Sequence, residues 1–207
     1  MQEVKVRERT GYNADRFAVA VFVNSFFETR VEQLFELAGR VEAAFAAAGL
    51  EYRVVGGLAT YMYVEEAAPD AGRLTKDIDI LVRRTDVQQI RKAVEPYGLK
   101  YRHVAGTDML VQVGEPSARR AVHLVFSGEK VRPEYVEPAP EMSRARNLKG
   151  IRLVPLADLI VMKLTSFRLK DQTHLKDLDE AGVITPDIVD TLNPVLLERL
   201  MFVRAHE

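Results

Sequence analysis

The chain reads as an α/β (α+β) protein: a mixed β-sheet flanked by helices, with a helical C-terminal part. Three observations predict this. Short apolar runs of strand length, at 52–55, 77–83 and 121–126, alternate with segments whose apolar residues recur every three or four positions. Two glycines and a pair of aspartates stand at the ends of the first two of these runs, where β-α-β units carry their turns. Beyond Pro155 the pattern is helical throughout.

The elements follow in order. Residues 1–16 are polar and without period, an arm, and Phe17 to Val23 is an apolar run that reads equally as a buried strand or as the lead-in to a helix. Ser25-Phe26-Phe27-Glu28 has the form of a capping box. After it Phe27, Val31, Leu34, Phe35, Ala38, Val41, Phe45 and Ala48 recur at helical spacing until Gly49 stops the helix. Tyr52 to Val55 is a short buried strand, Leu58 to Ala67 a helix, Pro69 to Arg73 a loop, Asp77 to Arg83 a second strand. Asp86 to Val94 is a helix that ends ahead of Pro96. Leu99–Val104, Met109–Val113 and Ala121–Phe126 are strands, the last two joined by a turn at Gly114-Glu115-Pro116-Ser117. Ser127 to Gly150 is polar and carries no regular pattern. Ile151–Val154 is a strand, and Pro155 opens a helix running to about Lys170. The remainder is helical, broken at Gly182 and Pro186. The order is α-β-α-β-α-β-β-β, then helices.

Bulk properties narrow the class. With 207 residues, 47% apolar and 29% charged, the chain can bury a real core. A net charge of −1 provides no global field towards nucleic acid or anionic membrane. There is no cysteine, which excludes disulfides and thiolate metal sites. No apolar run approaches the ~18 residues of a membrane span, so a cytoplasmic protein with no membrane partner is expected.

Chemistry concentrates at Thr75-Lys76-Asp77-Ile78-Asp79-Ile80. Strand side chains alternate, so Asp77 and Asp79 share a face while Ile78 and Ile80 enter the core. Two neighbouring carboxylates repel unless a positive charge lies between them. A hard divalent cation with oxygen ligands, Mg²⁺ (or Mn²⁺) on a nucleotide's phosphates, is one occupant. The alternative is that Asp77 caps a loop and Asp79 pairs with a Lys or Arg. Gly56-Gly57, 20 residues upstream, lies between a strand and a helix start, where backbone N–H groups hold phosphate.

This ordered set resembles the signature of the nucleotidyltransferase superfamily, whose fold is named after DNA polymerase beta. The resemblance implies that Asp77 and Asp79 hold Mg²⁺ and the triphosphate of an NTP, with Gly56, Gly57 and Thr75 at the phosphates. A Glu65–Arg73 insertion lengthens the gap between the two elements. Pro155-Leu156-Ala157-Asp158-Leu159-Ile160, followed by Lys163, Arg168, Lys170, Asp171 and Asp177, is similar to the helical segment of the bacterial abortive-infection toxin nucleotidyltransferases and their uncharacterised relatives. It implies that Lys163, Arg168 and Lys170 neutralise phosphates, Lys163 and Lys170 sharing a helix face two turns apart, with Phe167 and His174 beside them. Otherwise Lys163 reaches to solvent along its stem and Arg168, Lys170 and Asp171 form a solvated helix end. On this resemblance 1–24 is an arm, 25–154 the nucleotidyltransferase core and 155–207 a helical segment packed on it.

One departure stands out. Active members carry a third carboxylate on a neighbouring strand, and here Ala121-Val122-His123-Leu124-Val125-Phe126 places His123 at that position. A neutral imidazole can accept a proton from an acceptor hydroxyl but is a poor Mg²⁺ ligand. Asp108 and Glu129 are candidate substitutes. The expected activity is transfer of a nucleotide to a hydroxyl acceptor (a tRNA end, a protein side chain or a small molecule) with release of pyrophosphate. The alternative is a catalytically inactive nucleotide- or protein-binding regulatory module. A second copy of the chain, through Phe17–Val23, is a candidate partner, as is a toxin-antitoxin pairing.

Overall fold

The first element that can be followed is helix α1, residues 32–47, which ends at Gly49 with a φ of +63°. It turns Leu34, Leu37, Ala38, Val41, Ala44 and Phe45 inward, all buried, at the three- and four-residue spacing of one helix face. The structure, a computed structural model, describes residues 32–73, 75, 77–114 and 121–206. The arm, the Phe17–Val23 run, the capping box at Ser25 and the 115–117 part of the expected turn lie outside the described residues.

Seven strands form one mixed sheet among the described residues. They are β1 (Arg53–Val55), β2 (Ile78–Val82), β3 (Leu99–Val104), β4 (Thr107–Gln112), β5 (Val122–Phe126), β6 (Arg146–Leu148) and β7 (Ile151–Leu153). Their order across the sheet is β3-β4-β5-β2-β1-β7-β6. β1 and β2 run antiparallel with helix α2 (Gly56–Ala67) between them, and β2 and β5 run parallel. The register aligns Val55 with Asp79, Asp79 with His123, and His123 with Met109. Ile78, Ile80 and Leu124 go into the main core, packed with Leu58, Leu153, Leu159 and Ile160. Met109, Val111 and Ala121 form a small separate cluster beside His123.

Two elements differ from the sequence expectation. The polar stretch before Ile151 contains β6, which hairpins onto β7 through Lys149 and Gly150, with φ of 50° and 79°. Two consecutive left-handed residues match the twist of a two-residue hairpin loop. The helix expected to run from Pro155 to about Lys170 is two helices, α4 (Leu156–Ser166) and α5 (Leu169–Glu180). Phe167 adopts a left-handed φ of 46° between them. Arg199, on helix α7 (Pro194–Ala205), donates to the carbonyls of Leu164 at 2.7 Å and Thr165 at 2.9 Å, satisfying the last turn of α4. The Arg168 N–H donates to the Asp171 carboxylate at 3.3 Å to start α5. Lys163 and Lys170 therefore belong to different helices and share no helix face. A shorter helix α3 (Val87–Val94) follows β2, and α6 (Pro186–Val189) precedes α7. No helix among the described residues is long and apolar enough to cross a membrane.

Candidate nucleotide site

The site is assembled by that cross-strand row. β1 ends at Val55, and the chain turns through Gly56, whose φ is +67°, directly against the Asp79 carboxylate. A Cβ on Gly56 would stand 2.0 Å from Asp79 Oδ2, so only glycine leaves room for the acid where it lies. A Cβ on Gly57 would stand 2.4 Å from Thr75 Oγ1 and 3.6 Å from His174 Cε1. Thr75 is buried, and its hydroxyl accepts weakly from the Asp77 N–H at 3.5 Å. Asp77 directly precedes β2, while Asp79 is its second residue. α2 begins here without a side-chain cap among the described residues, at the turn that lies against Asp79.

His123 Nδ1 lies 3.4 Å from Asp79 Oδ1. Its pKa is raised above the ordinary value, first by the hydrogen bond to Asp79, against burial, and further by the charges of Asp79 and Asp77, with Lys170 opposing. Asp108 and Glu129, the alternative carboxylates, are both engaged elsewhere. Asp108 accepts from Tyr101 and pairs with His103 at 2.8 Å, and Glu129 is bound by Arg84.

A cleft of about 520 Å³ opens from Gly56 and Asp79. One wall is the α4–α5 corner, with Lys163, Ser166, Arg168 and Asp171. Asp171, 1% exposed, is its hub. It accepts from Lys163 Nζ at 3.1 Å, Ser166 Oγ at 2.7 Å and Arg168 Nε at 2.7 Å. Burial pushes the Asp171 carboxyl up, but Arg168, Lys163 and Ser166 outweigh it and hold it at about 2. Burial lowers the Lys163 pKa, and the neighbouring charges of Asp171 and Asp79 work against that. Lys163 is thus a buried, paired cation within the field of Asp79. Lys170 is exposed on the first turn of α5.

No protein-family model matches the chain, and no curated protein does. Among solved structures it is similar to an antigenic nucleotidyltransferase-like protein from Paracoccidioides brasiliensis, with 14% identity, a TM-score of 0.52, and 84% of this chain and 89% of that chain covered. The chain has the nucleotidyltransferase fold. The antibiotic-resistance factor ANT(2'')-Ia is also similar, at 14% identity and a TM-score of 0.42 over 85% of this chain and 84% of that one.

On the nucleotidyltransferase fold the structure brings Gly56, Gly57, Thr75, Asp77, Asp79 and His123 into one cluster, with Lys163 and Arg168 across the cleft. Among the described residues no three His, Cys, Asp or Glu side chains converge as a ready ligand set. Two carboxylates fit Mg²⁺, which takes one or two of them and completes its shell with water and substrate phosphate. Sequence reasoning took Asp171 only as a member of the Lys163–Asp177 run or of a solvated helix end, and it singled out neither Arg84 nor Tyr135. The signal for Asp171 was present, because Arg168-x-x-Asp171 has the spacing of a helix start. For the other two there was none.

His174 predicts a pH effect. It is buried, its Nδ1 has no hydrogen-bond partner among the described residues, and burial followed by the charges of Lys163 and Lys170 pushes its pKa down to about 4. The unfolded imidazole titrates near 6.5, so between those values the unfolded chain binds the extra proton. Stability is complete above pH 6.5 and falls as the pH drops towards 4, by at most about 3 kcal/mol from this group. Urea titrations from pH 7 to 4 should show His174→Gln losing less stability than the native chain. Parallel losses would mean that His174 takes no part.

Proposed function

We propose that this protein transfers a nucleotide from an NTP to a hydroxyl acceptor, releasing pyrophosphate. The observation that supports it is the bare glycine turn pressed onto Asp79, in one row with His123 and facing Lys163 and Arg168. Asp77 and Asp79 would hold Mg²⁺, which when bound polarises the α-phosphate and offsets the charge on the leaving pyrophosphate. The N–H groups opening α2 at Gly56 and Gly57 receive phosphate oxygens. Arg168, whose side chain is 60% exposed, and Lys170 can swing onto the triphosphate, while Lys163 contributes its field from beneath. The acceptor oxygen attacks the α-phosphorus as the bond to the pyrophosphate oxygen breaks. His123 takes the hydroxyl proton at Nε2 while Nδ1 stays turned to Asp79, which fixes the ring.

The experiment is incubation of the purified chain with labelled NTPs, Mg²⁺ or Mn²⁺, and RNA, protein and small-molecule acceptors. Asp79→Asn and Asp77→Asn should each reduce transfer to background. Transfer that survives both substitutions would overturn the assignment. A second reading, a nucleotide-binding module without turnover, is favoured by one observation: Asp108 and Glu129 are already occupied by other partners. Calorimetric NTP binding without labelling of any acceptor would select it.

A further inference from the structure

The cleft has an outer half that phosphate chemistry does not use. We propose that it is a nucleobase subsite, in which the base of the NTP stacks on the flat faces offered by Arg84, held over Phe126, and by Tyr135. This rests on the triphosphate lying at Asp79.

Arg84 is an unusual cation. Its guanidinium carbon sits 3.7 Å from the centre of the Phe126 ring, and its Nε and Nη2 each donate to Glu129 at 2.5 Å. Ring and carboxylate together restrain the group, whose side chain remains 57% exposed. Glu129 also compensates its charge, so the face suits an uncharged aromatic better than a phosphate. Tyr135, half-buried, lines the same cleft from the segment 128–139. That segment is closed on itself by Gly128 N–H to Ala139 O at 3.0 Å and Ala139 N–H to Glu129 O at 2.8 Å, which ties it to the Glu129 that holds Arg84. The Tyr135 hydroxyl is close enough to Arg168 to act on its charge, so the aromatic end is continuous with the cationic wall.

His123, the residue that would take the acceptor's proton, lies in the sheet between Asp79 and Met109 and does not itself line the cleft. A cleft that starts at the acid and reaches planar groups at Arg84 and Tyr135 has the layout of a nucleotide site. Its volume of about 520 Å³ falls within the ~300–1,000 Å³ common for small ligands.

The test is calorimetry on the full chain with Mn²⁺, comparing ATP, GTP, CTP and UTP with tripolyphosphate, which has no base. The NTPs should bind roughly tenfold to a hundredfold tighter than tripolyphosphate. Tyr135→Leu should erase that difference and leave tripolyphosphate binding unchanged, and Tyr135→Phe should preserve it. Arg84→Lys keeps the charge, loses the plane, and should weaken the NTPs alone. If Tyr135→Leu leaves the ratio of NTP to tripolyphosphate affinity unchanged, or weakens both equally, the subsite is wrong while the phosphate site stands. If the native chain binds neither ligand, the phosphate site falls as well.

Discussion

Asp171→Ala is expected to cost about 3–5 kcal/mol of folding free energy, because it strands a buried ammonium. Lys163 has a side chain 6% exposed and rests on Asp171 at 3.1 Å. Without the carboxylate, Lys163 must either stay charged in a poorly solvated site or give up its proton, and both carry a penalty. The Arg168 contact adds little, since that guanidinium is 60% exposed and can turn to water. The same loss should free the α4–α5 corner, which Asp171 ties together through Lys163, Ser166 and the Arg168 N–H. Urea denaturation is the measurement, and a double-mutant cycle makes it specific. Lys163→Met alone leaves Asp171 buried with fewer partners and should also destabilise. Asp171→Leu alone should strand the ammonium as Asp171→Ala does, and combined with Lys163→Met it removes both charges together and should recover most of the loss. NTP affinity should not recover with it. Stability losses that merely add across the two positions would show that the pair is not coupled.

How much of this was legible follows from which interactions are local. The glycine turn and the acids of β2 could be read because strand alternation and the demand for a bare Cα act within a few residues. The sequence assigned His123 to a strand neighbouring the acids, and parallel pairing of β2 with β5 sets it directly against Asp79. The two helices of the α4–α5 corner could not be told from one by periodicity, because apolar residues continue across Phe167 at helical spacing. What breaks the helix there is a tertiary partner: Arg199, over 30 residues further on, takes up the carbonyls of Leu164 and Thr165. For the same reason the face shared by Lys163 and Lys170 does not exist. Arg84 could not be singled out because nothing local announces Phe126 behind it and Glu129 at its edge. The β6–β7 hairpin was hidden in a polar stretch whose only marker was Lys149-Gly150, and strands of three residues carry too few side chains to show alternation.

Gly56→Ala is expected to abolish metal-dependent NTP binding while leaving the protein folded. Two costs coincide at this position. Alanine at a φ of +67° sits in the left-handed region, worth roughly 1–2 kcal/mol. Its Cβ would also meet Asp79 at 2.0 Å from Oδ2, 2.9 Å from Cγ and 3.0 Å from Cβ. The backbone is held by β1–β2 pairing at Val55 and Asp79, so the side chain must move. Rotating the carboxylate away relieves the contacts with Oδ2 and Cγ and turns it from His123, while the contact with Asp79 Cβ, which rotation cannot move, asks for a small backbone shift. The loss should thus fall on function far more than on stability, matching Asp79→Asn in transfer assays. Gly49→Ala is the proper control, for Gly49 also has a positive φ, +63°, but a Cβ there meets nothing within 4 Å. Both variants should lose stability in urea through the positive φ, Gly56→Ala somewhat more through its contact with Asp79, and only Gly56→Ala should lose NTP affinity. Equal NTP binding by the two would mean that the Asp79 carboxylate is not where the triphosphate is held.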